Sequence, residues 1–408
     1  MDRNGISKLD LKRLNRTEIL KLITRYGAMS RIDIAHNLKL TRAAVTIITN
    51  EMIEQGLLYE KGEQKSAGEK ASRGRKKILL DIHENYRFSF GVVIDQTKLH
   101  IGLANLKGQT LDKKSVSVQR LNIYEMIDFI YRSAQQILSA NCLDWKCILG
   151  IGICVSQNTV TLLQYVDHHK EDIKTYLKKL FEMRFSIPVM IEGTTESLAL
   201  AEMMFNTDFY HKPKNMVFIR YGYDVDAAIM LEDSIYKGSH NNSGWFPHLV
   251  VDAHGERCEC GKIGCCITKM SVFRIIDKIK QLYVQGKTPY LYQATGGNIN
   301  KIDFSIENLK NILIDEPVRQ LYEEALKYLT TVLDNILIIL DPDKVVLFGF
   351  VFEKILDLEM LNAIMEKEHN CSLKEKVSLS VIPDSQIHLA GNGLCVKKFL
   401  IDRGGFIN

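Results

Sequence analysis

The sequence predicts an α/β protein: a small N-terminal winged helix-turn-helix followed by a larger body of two α/β lobes. Three observations carry this expectation. Residues 1–80 hold three short helical patterns with caps, then a strand and a Gly-rich basic run. From Tyr86 onward, β-rich apolar stretches alternate with helical periodicity. Finally, 408 residues that are 46% hydrophobic and 25% charged exceed one ordinary core while matching soluble globular composition.

Leu11 to Tyr26 places Leu14, Ile19, Leu20, Leu22 and Ile23 at near-helical spacing, and Gly27 ends the run. Ser30 is placed to cap a helix over 31–38 with Ile32, Ile34 and Ala35 inward. Thr41 then caps a third helix to about Gln55, its inner face being Val45, Ile48 and Met52. Gly56 stops it and Leu57, Leu58 and Tyr59 begin a strand. Two short helices joined by a tight turn, then a strand and a basic loop, describe a winged helix-turn-helix, whose second helix enters the DNA major groove. The outward residues of that helix, Arg42, Ala43, Thr46, Ile47 and Asn50, are candidates for base and phosphate contact. In the following run, Ser72-Arg73-Gly74-Arg75-Lys76-Lys77, a glycine between arginines suits a narrow minor groove, so Arg73, Arg75 and Lys76 join the candidates; a solvated linker is the plainer alternative.

In the body, strands are expected at 88–95, 99–106, 114–119, 148–155, 189–191, 216–221, 227–231 and 345–347, with an amphipathic helix over 124–140. The expected division is 1–80 for the winged module, 81–196 for the first lobe with a C-terminal helix near 385–402 returning to it, and 197–384 for the second lobe.

Charge is uneven. Residues 1–80 carry 17 Lys and Arg against 9 Asp and Glu, whereas the remainder carries 36 against 40. A basic module on a mildly acidic body implies a polyanion partner for the module alone. No run of eighteen apolar residues and no signal-peptide core is present, which points to the cytoplasm and away from membranes.

The nine cysteines do not form a disulfide pattern; Cys258, Cys260, Cys265 and Cys266 crowd into one loop. Cys258, Cys260 and Cys265 with one imidazole make a closed tetrahedral donor set suited to a structural Zn²⁺. Gly261 and Gly264 permit the tight turns this needs. His248 and His254 are rival fourth ligands.

These motifs resemble the ROK family of repressors and sugar kinases, specifically its xylose-repressor and N-acetylglucosamine-repressor type. The resemblance rests on Ser30 to Ala35, Thr41 to Val45, the Glu-Gln-Gly-Leu turn at 54–57, Gly-Arg-Lys-Lys at 74–77, His248, and Cys258-x-Cys260-Gly261-x-x-Gly264-Cys265. It implies an actin-like (ribonuclease H-like) two-lobed fold, assembly into dimers or tetramers, and His248 rather than His254 on the zinc. It also implies a transcriptional regulator that binds operator DNA, commonly repressing carbohydrate-utilisation genes and answering to a sugar or sugar derivative.

Against the family's kinases, this chain departs at each catalytic motif. Asp-x-Gly-Gly-Thr is replaced by Val93 to Thr97, with Asp95 and Gln96 in the glycine positions. The second glycine-rich segment corresponds to Gly222 to Ala228 with two acids, and the C-terminal glycines to Phe348, Gly349 and Phe350. Gly193 and Thr194 stand where the family has Asn-Asp, and a threonine hydroxyl cannot serve as base near neutral pH. Trp245 and Ile267 replace two sugar-binding glutamates, and Pro247 a glycine. The expectation is a non-enzyme without ATP, with Thr194 and Trp245 as the remaining effector-pocket candidates. Two alternatives stay open: a constitutive DNA-binding dimer without sugar effector, and a sugar kinase.

Overall fold

The computed structural model describes residues 7–63, 77–118, 122–156, 173–207, 212–223, 225–303, 305–373 and 375–407. No helix among them is long and apolar enough to cross a membrane.

The N-terminal module runs α1 (Lys8–Tyr26), β1 (Met29–Ser30), α2 (Arg31–Leu38), α3 (Arg42–Glu54), β2 (Leu58–Glu63) and β3 (Ile78–Ile82). Ser7 and Asp10 form a reciprocal capping box on α1. Ser30 Oγ accepts from the Asp33 N–H and Thr41 Oγ1 from the Ala44 N–H, so both expected caps are made. One inward assignment is corrected: Ile34 and Ala35 are buried but Ile32 is exposed, because two residues around a helix turn by about 200°. Leu14 is likewise exposed, and Arg16, two residues on and so on the opposite side of the helix, is buried. The sheet order is β1-β3-β2; β3 pairs with β2 across a bulge between Glu60 and Gly62. β3 was not expected from the sequence; the basic run leading into it hides its Ile78-Leu79-Leu80.

The first lobe contains β4 (Phe88–Ile94), β5 (Lys98–Asn105), β6 (Thr110–Ser117), α4 (Ile123–Ala140), β7 (Ile148–Val155), α5 (Ile173–Phe185) and β8 (Val189–Gly193), and α6 (Thr194–Phe205) leads from it to the second. The second contains β9 (Met216–Tyr221), β10 (Val225–Leu231), β11 (Ser234–Ile235), α7 (Cys266–Met270), α8 (Val272–Val284), α9 (Pro289–Thr295), α10 (Glu316–Leu340), β12 (Lys344–Phe348), α11 (Leu358–His369) and β13 (Val377–Leu379), and the chain closes with α12 (Leu389–Cys395) and a π turn to Ile401. The two sheets repeat one topology: β6-β5-β4-β7-β8 and β11-β10-β9-β12-β13. In each, the first three strands are antiparallel and the next two are added parallel. This duplication is the two-lobed actin-like, ribonuclease H-like arrangement.

Buried side chains explain how these units join. α4 and α5 cover one face of the first sheet. α6 and α12 fill the space between the sheets, where Val93 and Cys154 meet Phe218 and Val346. α12 approaches the first sheet at backbone contact, because a Cβ on Gly152 would strike Gly391 and one on Gly91 would strike His388 and Asn392. The N-terminal module has no private core: Ile19, Leu20, Val45, Met52 and Leu57 share one cluster with Leu149, Cys395, Phe399, Leu400 and Ile401.

Candidate functional site

Three places carry chemistry: the outer face of α3, the loop after His248, and the cleft between the lobes. On α3, Val45, Ile48, Thr49 and Met52 are buried, and Arg42, Ala43, Thr46, Ile47 and Asn50 are exposed, as the spacing predicts. Ile47 is 63% exposed, an apolar side chain between polar neighbours. Arg42 sits in the first turn, which has no acidic residue, so its charge opposes the helix dipole. Arg73, Arg75 and Lys76 lie outside the described residues. A residue that sequence reasoning missed is Arg31. Its guanidinium donates to Thr49 Oγ1 at 3.1 Å, to Asn50 Oδ1 at 3.0 Å and to Glu60 Oε1 at 2.9 Å. One planar fork thereby fixes α2, α3 and the wing strand relative to each other. The signal was an arginine at the first position of the preceding helix, facing the inner side of its partner.

Around the metal loop, His248, Cys258, Cys260 and Cys265 offer ligand atoms that all lie within 4.8 Å of one another. Cys258 Sγ is 3.5 Å from His248 Nδ1, and Cys260 Sγ is 3.5 Å from Cys265 Sγ. Tetrahedral bonds of roughly 2.0–2.3 Å to N and S put neighbouring ligand atoms about 3.5–3.8 Å apart, so this donor set fits a metal ion. The backbone is shaped for it. The Cys258 N–H donates to the Lys262 carbonyl, the Gly261 N–H to the Cys258 carbonyl, and Val250 bridges Cys265. Gly264 is left-handed, and a Cβ there would run into the Asp252 carbonyl. His254 is outside this group. Cys266 points away: its thiol donates to Met270 Sδ in the core, and burial pushes it up to about 12.

The inter-lobe cleft is filled by side chains. In the β4–β5 turn, the Asp95 carboxylate accepts the N–H groups of Thr97 at 2.8 Å and Lys98 at 2.7 Å. The turn therefore satisfies its own donors. Opposite, Phe350 lies 4.9 Å from Tyr223 between ring centroids and covers Gly222. Gly349 is the one glycine of its segment that backbone geometry requires: its φ is +120° and a Cβ would strike the Tyr221 carbonyl. Lys98 pairs with the buried carboxylate of Glu307, joining the lobes. About 30 Å³ open to the centre of a water molecule remains among Asp95, Lys98, Arg220, Glu307 and Asp384, room for roughly two waters. Burial, with Glu353 nearby, raises the Asp384 carboxyl to about 6.

Among the described residues no hydrogen bond joins the two effector candidates. Thr194 is 1% exposed at the start of α6, and its hydroxyl finds no partner among the described residues. Trp245 is half exposed, with its ring edge-on to His248 at 4.9 Å, which rules out a core tryptophan. The segments are adjacent nonetheless. Thr195 donates to Asp226, and Gly244 backs onto the carbonyl of Ala227. Beside them, Lys237 and Lys174 flank the Glu192 carboxylate; although burial opposes it, these lysines hold that carboxyl below its ordinary range.

Comparison with known proteins agrees with this architecture. The ROK family profile matches residues 89–392, and the chain belongs to the ROK family. A putative xylose repressor from Caldicellulosiruptor sp. (strain Rt8B.4) is 27% identical over 281 residues, 68% of each chain. The crystal structure of a ROK family transcriptional regulator, a homologue of the Escherichia coli MLC protein, superposes with a TM-score of 0.67 at 20% identity, covering 97% of this chain and 98% of that one. A ROK glucokinase from Streptomyces griseus, in complex with glucose and AMPPNP, superposes with a TM-score of 0.58 at 18% identity, covering 75% and 98%. The regulator extends over nearly the whole chain and the kinase over three quarters of it.

Proposed function

We propose that this chain is a sequence-specific DNA-binding transcriptional regulator, a cytoplasmic repressor of carbohydrate-utilisation genes, and that its body has no kinase activity. The observation that carries the reading is the exposed, capped face of α3, braced by Arg31, attached to a body whose phosphate turn is occupied by the carboxylate of Asp95. In this reading Arg42 and Thr46 meet phosphates, Asn50 and Ile47 meet base edges, Ile47 suits a thymine methyl, and Arg73, Arg75 and Lys76 extend the contact into the minor groove. The module comprises residues 1–80, the first lobe 81–196 with the returning C-terminal helix, and the second lobe 197–384.

The metal is Zn²⁺, held by His248, Cys258, Cys260 and Cys265 in a closed structural site, and the assembly is a homodimer or tetramer that presents two modules to a two-fold operator. A sugar or sugar derivative reaching Thr194 and Trp245 acts by binding one arrangement of the lobes better than the other. Genome-wide mapping of bound DNA tests the function directly. Enriched sites beside carbohydrate operons, with affinity that falls steeply with salt, are expected. Retention of no promoter fragment, or ATP-dependent phosphorylation of glucose, xylose or N-acetylglucosamine, overturns it.

A second reading, a constitutive DNA-binding dimer without effector, is favoured by one observation: Lys98 and Glu307 already close the cleft. A thermal-shift screen of sugars separates the two, since a ligand at a hundred times its Kd adds about 2.7 kcal/mol.

A further inference from the structure

We infer that α1 is a crossbar between the two lobes, and that Arg25 and Lys212 are positioning residues that set the DNA module against the second lobe. This rests on the DNA-binding reading above. One part of the helix is tied to the first lobe. Arg16, 0% exposed, donates through Nε to the Gly404 carbonyl at 2.6 Å and through Nη2 to Gln55 Oε1 at 2.6 Å. Its guanidinium lies 4.3 Å over the Phe406 ring. Gly404 and Phe406 follow α12, which lies on β4 and β7 of the first sheet.

Nine residues further, about 13–14 Å along the helix axis, the attachment changes lobe. Arg25 pairs with Asp233 in the β10–β11 turn and donates to the Lys212 carbonyl at 2.8 Å. The Lys212 ammonium in turn donates to the carbonyls of Thr24 at 2.9 Å, Met203 at 2.5 Å and Met204 at 3.1 Å. These carbonyls belong to the last turns of α1 and α6, where helices leave acceptors unsatisfied and carry partial negative charge. A single cation thus joins two helix ends to the strand that begins the second sheet. Burial, with Arg25 beside it, brings Lys212 down to about 8, so near neutral pH it is still the cation that needs those acceptors.

The mechanical consequence follows from stiffness. A helix held to one lobe at Arg16 and to the other at Arg25 cannot follow both when the angle between them changes; it must turn or release one end. Because α1 shares its core with Ile34, Val45 and Met52, α2 and α3 turn with it. The other end of α6 begins at Thr194, about 14–15 Å along the helix from Lys212's partners Met203 and Met204. A change at the effector candidate therefore reaches the recognition helix through one rigid rod and one ammonium.

The test uses the full-length protein and the variants Arg25→Gln and Lys212→Met, with Arg25→Lys as the conservative control. Two readouts are taken. Hydrogen–deuterium exchange is followed over 19–26 and α2–α3, with β4 and the metal loop as internal references. Binding is then measured to duplexes carrying two copies of the half-site selected by the wild-type protein from random DNA, their spacing varied one base pair at a time. In the disruptive variants we expect faster exchange over 19–26 with unchanged references. We also expect an about tenfold loss of discrimination between the best spacing and its neighbours, with single half-site affinity retained. Arg25→Lys keeps the charge pair and the spacing preference. A mere folding defect lowers half-site affinity and spacing preference together, and that result overturns the inference. So does unchanged exchange over 19–26, which needs no DNA and decides the matter even if the wild type selects no half-site.

Discussion

The metal loop and the inter-lobe cleft lie in the same protein body, yet they are built in opposite ways. In the loop, four donors lie within 4.8 Å of one another and the glycines stand where a side chain cannot. In the cleft, Asp95, Phe348 and Phe350 are among the side chains that line what little space remains. The difference is physical. An ion held by such donors would couple the loop to folding, because deprotonated thiolates brought together without one repel each other. A catalytic cleft adds nothing to stability, and filling it with packed rings and internal hydrogen bonds adds burial. The loop draws its donors together, and the cleft is packed with side chains that bond to one another.

The largest expected effect breaks the loop. Cys265 is fully buried and anchors the start of α7, so Cys265→Ala loses its ligand and the sulfur's packing together. We expect the bound metal to fall from one equivalent to none, and a destabilisation of order 5 kcal/mol, a fraction of the roughly 10–16 kcal/mol of structural zinc sites. Metal analysis alongside calorimetry checks it; an unaltered melting profile removes the loop from the stability account.

Next comes the cleft. Phe350→Ala deletes a ring packed on Tyr223 and covering Gly222, at a cost of about 3–4 kcal/mol typical of buried aromatic truncation. Space alone does not restore phosphate binding, because Asp95 still occupies the N–H groups of Thr97 and Lys98. Calorimetric titration with ATP is expected to show no heat of binding in this variant. Saturable binding would mean that the rings alone had closed the site.

How much of this was legible in the sequence depends on which forces a residue reports. The caps Ser30 and Thr41, the inner face of α3 and the Cys-rich loop could all be read directly, because local hydrogen bonding and periodicity determine them. Arg16, Arg25, Arg31 and Lys212 give no such sign, because each is polar by type and is held by at least one partner 18 to 388 residues away. The inward assignment of Ile32 failed for a related reason: hydrophobicity without helical phase does not define a face. The sharing of one core between the N-terminal module and the C-terminal helix is a property of long-range packing with no local sign.

A smaller effect sharpens the view that the cleft is sealed rather than poised. Asp384 has a carboxyl raised from 3.8 to about 6 by burial, then by Glu353 and Glu307, with Arg220 opposing. The native state therefore binds more protons than the unfolded chain between about pH 4 and 6, and its stability falls as pH rises through that window. Above pH 6 the charged carboxylate costs at most about 3 kcal/mol, by 1.36 kcal/mol per unit. Asp384→Asn should raise the melting temperature at pH 7.5 and leave it little changed at pH 4. An equal shift at both pH values would show that the gain does not come from ionisation of the carboxyl.

The smallest effect concerns a third place, the outer face of α3. Arg42 is exposed in the first turn of α3, where a cation is disfavoured by the helix dipole by about 0.3–1 kcal/mol. A neutral residue there would make a better helix, so Arg42 adds nothing to the helix it starts. Arg42→Ala should leave the melting temperature unchanged or slightly raised while weakening duplex affinity about tenfold and reducing the salt slope by about one. The opposite signs matter, because a contact that merely braced the module would lower stability and affinity together. Titrations of the same duplex at several salt concentrations, beside thermal melts, distinguish the two. If affinity and slope both match the wild type, Arg42 faces solvent, and the phosphate contact passes to another basic residue of the module.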